Sequence, residues 1–488
     1  MSASSSPASS PQSRAAKPQH SCLECKRLKR GCDKGFPCGK CAKANRTCEY
    51  KDSSDDGVFG PISSAKDIHS LAFGTLLDIL VNKPRVKEAV SLYFNGVNTW
   101  FTVIERANFE RQLETSWDNL PAEASAMALC MALIARPPNQ KPSRGMGDTV
   151  YHSTKAILSL IQSKVPMSVQ LLQAELLVAM YEFSQSMPQQ AYLSLGRCLQ
   201  MTKAFGWHNG TFWTAAQQAS MPMELKLYSI LWWAIVYVDC LLNVGYQEQE
   251  YPMHTTGLAP VSVIPFPEAF NQYFPATDPF QFGGQDQGFR DANSDYIDGI
   301  VFPEATSAWY LSNVLQQLSN PALPGTLDHK ALSDMIWRHA KDIASAKWRA
   351  GDRHAAIATD FVALMKLNHL GLFSGNGAMP NDNSTQTQAV RVIRILTHTI
   401  HGKANKIAES EDWLSMGIVD PSWALAMCYA STLLISHGDN VLQDAGCFQK
   451  VASLRVILDK VSKRWKIAEK YCEMVKIALD TRLTAYAR

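Results

Sequence analysis

"CLECKRLKRGC", residues 22–32, places three cysteines and four cations in eleven positions, and "CGKCAKANRTC", residues 38–48, repeats its cysteine spacing. Read together, Cys22, Cys25, Cys32, Cys38, Cys41 and Cys48 form C-x2-C-x6-C-x5-C-x2-C-x6-C. These six make up half of the chain's twelve cysteines. The other six, Cys130, Cys198, Cys240, Cys428, Cys447 and Cys472, are scattered singly and read as small buried hydrophobes. A spaced thiol repeat points to metal. Zinc takes four tetrahedral ligands with sulfur at about 2.3 Å, so two ions need eight coordination positions. Six thiolates fill them when two of the sulfurs bridge. The resulting cage carries excess negative charge, which the adjacent lysines and arginines offset. Disulfides are the alternative, but the opening "MSASSSPASSPQSRAAKPQ" has no apolar core of the kind an export signal needs. A reducing compartment favours metal.

The chain's 488 residues, 46% hydrophobic and 19% charged, suit a soluble protein with a small module and a larger body. The most apolar run, "ILWWAIVYV" at 230–238, is half the length of a membrane span and stops at Asp239. It reads as a buried helix, and no membrane partner is expected. Charge is divided unevenly: residues 14–51 hold 11 Lys/Arg against 3 Asp/Glu, whereas the remainder holds 36 against 41. A basic head on a mildly acidic body is the footprint of a polyanion partner.

The two half-motifs share spacing but not charge. Between its second and third cysteines the first carries Lys26, Arg27, Lys29 and Arg30, whereas the second carries Lys43 and Arg46. A short helix starting near Cys25 would bring the richer half to a major groove, where Lys or Arg donates to guanine O6 and N7. The other cations would neutralise phosphates without reading sequence. "KRLKR" also suits a solvated charge run or a nuclear import signal. So small a module has almost no apolar core, and each structural zinc must supply on the order of 10 kcal/mol of its folding free energy.

Beyond Tyr50, "KDSSDDGVFGPISSAK" reads as a linker. "IHSLAFGTLLDILV" at 68–81 is apolar but too short and too poor in flanking charge for a sustained coiled coil. From about residue 85 the period is helical. "VQLLQAELLVAMYEF" sets Val169, Leu172, Leu176, Met180 and Phe183 on one stripe. "AYLSLGRCLQMTKAFG" ends at Gly206 as a cap. Loops rich in Pro, Gly, Asn or Asp are expected at 137–149, about 256–300 and 374–385.

The cysteine pattern resembles the fungal Zn(2)-Cys(6) binuclear cluster family of transcription regulators at every ligand position, and Pro37 stands where that family has a proline before its fourth cysteine. The resemblance implies two zinc ions bridged by Cys22 and Cys38. It also implies a base-contacting lysine at Lys29 and a CGG-type target triplet. Leu28 and Gly31 depart from the family, which is often basic at both positions. The body resembles the fungal-specific regulatory, or middle homology, domain through "YFNGVNTWFTVIERANFERQL" (93–113), "AYLSLGRCLQMTKAFGWH" (191–208) and "ELKLYSILWWAIVYVD" (224–239). "LKLYSI" replaces the family's arginine run before Trp232 and Trp233, which read as core.

The expected architecture is a small Zn2Cys6 cluster domain plus a large all-α regulatory domain. Its divisions are a disordered tail at 1–18, the cluster at 19–50, a linker at 51–84 and the helical domain at 85–488. The expected function is that of a nuclear, zinc-dependent, sequence-specific regulator of RNA polymerase II transcription. Its partners would be double-stranded DNA and the transcription machinery, with monomeric and homodimeric binding both open. Control of a secondary-metabolite pathway follows only by analogy with cluster-linked members of the family. A catalytic role is not expected: there is no HExxH, GxSxG, Walker loop or dinucleotide fingerprint, and His152, His208, His254 and His329 stand apart. The competing reading is a helical adaptor or ligand-responsive protein whose cluster grips protein or RNA. Competition between duplex DNA and single-stranded RNA separates the two.

Overall fold

A computed structural model describes residues 21–35, 37–44, 46–48, 65–136, 149–218, 222–246, 251–255, 264–266, 303–319, 328–345, 354–372, 385–410, 414 and 417–486. The expected tail at 1–18, nearly all of the three expected loops, and 51–64 of the expected linker lie outside the described residues. The chain divides into two compact units, Met1–Asp67 and Ile68–Arg488. Among the described residues every regular element is helical.

The first unit contributes two single-turn helices, α1 (Leu23–Arg27) and α2 (Gly39–Lys43). The second begins within α3 (Ala65–Leu80), in a stretch assigned to the linker by sequence. Here the structure differs from the expectation. Ile68, Ala72 and Leu76, four residues apart, form a fully buried stripe. His69 Nδ1 accepts the Ala122 amide at 2.8 Å, and Phe73 packs edge-on against Trp117. α4 (Lys83–Asn95) follows at once, capped by Asn82, whose side chain accepts from the Arg85 amide at 3.1 Å.

The body continues through α5 (Arg106–Thr115), α6 (Ala122–Ala135), α7 (Thr149–Lys164), α8 (Val169–Ser184), α9 (Pro188–Ala204), α10 (Gly210–Gln218) and α11 (Pro222–Gly245). It closes with α12 (Pro303–Ser319), α13 (His329–Ser345), α14 (His354–Gly371), α15 (Thr385–Glu409), α16 (Pro421–His437), α17 (Cys447–Ser462) and α18 (Ile467–Tyr486). Most neighbours in space are neighbours in sequence. α6 packs on α8, α8 on α9, α11 on α12, α12 on α14, and α16 on both α17 and α18. α6 is buried on every side and α8 from Leu171 onward, so the stripe expected on α8 is only part of its buried surface. The expected stripe on α8 is buried from Leu172 to Phe183, whereas Val169 is half-buried. Gly206, at φ +81°, ends α9 as expected, with its amide on Lys203 O at 3.0 Å and the Trp207 amide on Thr202 O at 3.0 Å.

The apolar run 230–238 lies in α11, and every residue from Ile230 to Val238 is buried inside the fold. Trp232 and Trp233 are core residues, the latter stacked on Phe266 at 4.7 Å. Of the scattered cysteines, Cys130, Cys198, Cys240, Cys428 and Cys447 are buried; Cys472 is partly exposed, which departs from the expectation. His254 and His329 each bond a backbone carbonyl at 3.0 Å, Tyr192 O and Leu367 O respectively.

One residue ties the two ends of the body together. Arg464, 2% exposed, donates to the carbonyls of Ile134, Ala135 and Arg136 at 2.8, 3.0 and 2.6 Å. These are the last carbonyls of α6, which have no partner within their own helix. A guanidinium there satisfies them and complements the negative end of the helix dipole. Burial pulls its pKa down to about 10. Trp100 Nε1 to Gly417 O (2.8 Å) and Trp465 Nε1 to Val419 O (2.6 Å) fasten the same seam.

Candidate metal centre and nucleic-acid interface

Each half-motif builds the same local device. Cys22 and Cys38 stand at the N-caps of α1 and α2, and their sulfurs accept the amides of Cys25 and Cys41 at 3.4 Å. C-x2-C over one helical turn brings both sulfurs to the same side. Amides aimed at a sulfur favour its thiolate form. At Cys38 this is the largest effect, the Cys41 amide leading, and it holds the thiol down to about 6. Burial pushes Cys25 and Cys41 the other way.

The helices also end alike. The Arg30 amide reaches Cys25 O at 2.9 Å and the Arg46 amide reaches Cys41 O at 3.0 Å, the long bond of a Schellman turn. In the first half the turn is completed by the Lys29 amide on Lys26 O at 3.1 Å, with Lys29 in the left-handed region at φ +47°.

Four of the six sulfur-bearing residues are buried, with Cys32 and Cys48 half-buried against them. Cys22, Cys25, Cys32 and Cys38 form one set whose sulfurs all lie within 4.8 Å of one another, and Cys22, Cys38, Cys41 and Cys48 form a second. The sets share Cys22 and Cys38. Four sulfurs at about 2.3 Å from a tetrahedral zinc stand about 3.8 Å apart. Cys22–Cys38, Cys22–Cys41 and Cys25–Cys38 are separated by 3.7, 3.7 and 3.6 Å. Such spacings are too long for disulfides, and all six thiols are free. The residues present therefore fit two tetrahedral ions with two shared sulfurs.

Lys26, Arg27, Lys29, Arg30, Lys43 and Arg46 are all exposed. They are not equivalent. Glu24 Oε2 and Oε1 accept Arg27 Nε at 2.9 Å and Nη2 at 2.7 Å, and Oε1 also accepts Arg46 Nη1 at 3.2 Å from the other half. Arg27, followed by burial acting the other way and then Arg46, holds the Glu24 carboxyl below its ordinary range. Asp33 accepts the Gly39 amide at 3.1 and 2.8 Å and the Gly35 amide at 3.2 Å, pinning the start of α2. A Cβ on Gly39 would meet Asp33 Oδ2 at 2.6 Å. Reading the head for cations overlooked both acids. The available signal was their position, Glu24 three residues before Arg27 and Asp33 directly after Cys32.

Residues 20–57 match the fungal Zn(2)-Cys(6) binuclear cluster domain, and residues 90–301 match the fungal specific transcription factor domain. This chain joins a binuclear zinc cluster to a fungal transcription-factor domain. "Transcription factor BOA15" of Botryotinia fuckeliana (strain B05.10) is 24% identical over 132 residues, 27% of this chain and 73% of that protein. The cluster domain binds two zinc ions, and the two matched domains together support a DNA-binding transcription regulator.

Proposed function

We propose that the chain is a nuclear, non-enzymatic regulator whose six N-terminal cysteines hold two zinc ions and whose first half-motif reads a CGG-type triplet. The supporting observation is the pair of four-sulfur sets sharing Cys22 and Cys38, set beside an exposed cationic turn. Cys25 and Cys32 complete one set, Cys41 and Cys48 the other. Zinc supplies rigidity here, because a core of four small side chains cannot fold so short a segment alone.

Lys29 leads as the base-reading group: it lies exposed in the turn that closes α1, and its ammonium can donate to guanine in a major groove. Lys26, Arg30 and Lys43 supply phosphate contacts. Arg27 and Arg46, the other two cations expected at the interface from the sequence, are both engaged with Glu24 instead of standing free. Control of a secondary-metabolite pathway, proposed by analogy with cluster-linked members of the family, is tested by transcript profiling of a deletion strain.

The test of the molecular reading is selection of preferred duplexes from a random pool by the zinc-loaded full chain, with and without chelator. Enrichment of CGG-type triplets, lost on chelation, supports it, and mobility-shift stoichiometry then counts chains per site. Equal capture of single-stranded RNA and duplex, with no enriched sequence, would favour the adaptor reading instead.

A further inference from the structure

We infer that Glu24 sets sequence selectivity by withholding Arg27 and Arg46 from the DNA backbone, an inference that rests on the proposed DNA reading. The carboxylate joins the half-motifs: Arg27 engages it through two donors at 2.9 and 2.7 Å from the same helix, and Arg46 through one at 3.2 Å from beyond α2. The Arg27 contact is a two-point fork, the strong geometry for a guanidinium. One acid thus screens two cations. Lys26, Lys29, Arg30 and Lys43 have no acidic partner of this kind among the described residues and remain exposed.

The consequence follows from how DNA affinity divides. Non-specific binding comes from phosphate neutralisation and scales with the number of available cations, whereas discrimination comes from base contacts. Specificity is a difference of affinities, so weakening the common backbone contribution improves the ratio of correct to incorrect sites. Glu24 leaves the cations beyond the end of α1, Lys29 and Arg30, unscreened and lowers the charge offered by the second half. It acts as a positioning residue and touches no base.

Glu24→Gln on the zinc-loaded full chain tests this. With one or two arginines released, the slope of log affinity against log salt on non-specific duplex should steepen by about 0.9 to 1.8. Non-specific affinity at 0.1 M salt should rise about eightfold per added contact. The ratio of preferred to scrambled duplex should fall. A second variant keeps the test sharp. Arg46→Ala should leave the slope unchanged in the wild-type background and flatten it by about 0.9 in the E24Q background.

An unchanged slope in E24Q, or a flattened slope for Arg46→Ala alone, overturns the inference. So does an E24Q chain that loses zinc or melts earlier with no change in slope, since that is a structural clamp only. If the wild-type chain itself shows no salt-dependent duplex binding, the underlying DNA reading fails and the inference falls with it.

Discussion

Replacing Lys29 by glycine separates the backbone role the residue plays from the reading role proposed for it. Its backbone lies at φ +47°, left-handed, closing α1 through its own amide on Lys26 O and the next amide on Cys25 O. A non-glycine residue there carries strain of about 1–2 kcal/mol, which glycine does not. Against that relief stands the larger unfolded-state entropy of glycine, about 0.4–1 kcal/mol. Lys29→Gly should therefore leave the zinc-loaded head at least as stable as the parent while removing the ammonium. A lost guanine contact is worth about 1–3 kcal/mol of discrimination, roughly 5- to 150-fold. Lys29→Ala should lose the same discrimination without the relief. Fluorescence anisotropy on preferred and scrambled duplexes at fixed salt reads the first effect, and thermal melting of the zinc-loaded chain reads the second. Full discrimination retained by the glycine variant would refute the assignment of Lys29 as the reader. Lower stability in glycine than in alanine would refute the backbone argument.

Three further outcomes are expected. Chelation of zinc should abolish duplex binding yet shift the thermal transition of the body by less than about 1 °C, measured by far-UV circular dichroism, since the body unit contains none of the six clustered thiols. Arg464→Met removes three short charge-assisted bonds to buried α6 carbonyls and should cost about 3–5 kcal/mol in urea unfolding, with Arg464→Lys recovering part of it. Asp420, fully buried at the N-cap of α16, is pushed up to about 6 by burial, so the folded body favours its neutral form. Its contribution to stability is whole below pH 4 and is lost as pH rises through about 6. The difference in melting temperature between Asp420→Asn and wild type should therefore grow in favour of the variant across that window, because asparagine still caps the helix and carries no charge.

Much of the head was legible because metal chemistry is written locally. Six cysteines at fixed spacing dictate how many ions can be satisfied, whereas the helix expected to start near Cys25 begins at Leu23, with Cys22 as its cap, and Cys38 caps the second helix in the same way. What the spacing leaves open is which charges are free, since that depends on Glu24 meeting Arg46 twenty-two positions away. In the body the helical period and the Gly206 stop were readable, whereas α3 was not. Its buried face is only three residues, Ile68, Ala72 and Leu76, inside a segment whose upstream composition is that of a linker. Arg464 was equally hidden. An arginine seen in sequence reads as surface, and only the arrival of three α6 carbonyls from more than three hundred residues away makes it an interior clamp.

The two units draw their stability from different sources. The body has all-round buried helices such as α6 and α8, and it pairs several of its interior charges with one another. Glu182, fully buried, accepts Tyr151 OH at 2.7 Å and sits 3.1 Å from Lys155, while Glu175 binds Arg197 at 2.6 Å. Those contacts need no ion. The head buries little beyond four cysteines, and its helices are one turn each, far below the length at which a helix persists alone. Hydrophobic burial of that size cannot offset the entropy of ordering about thirty residues, so the free energy must come from metal–sulfur bonds. On the proposed reading DNA binding is thereby tied to zinc occupancy whereas the fold of the body is not, so loss of metal should silence the reader without unfolding the rest of the chain.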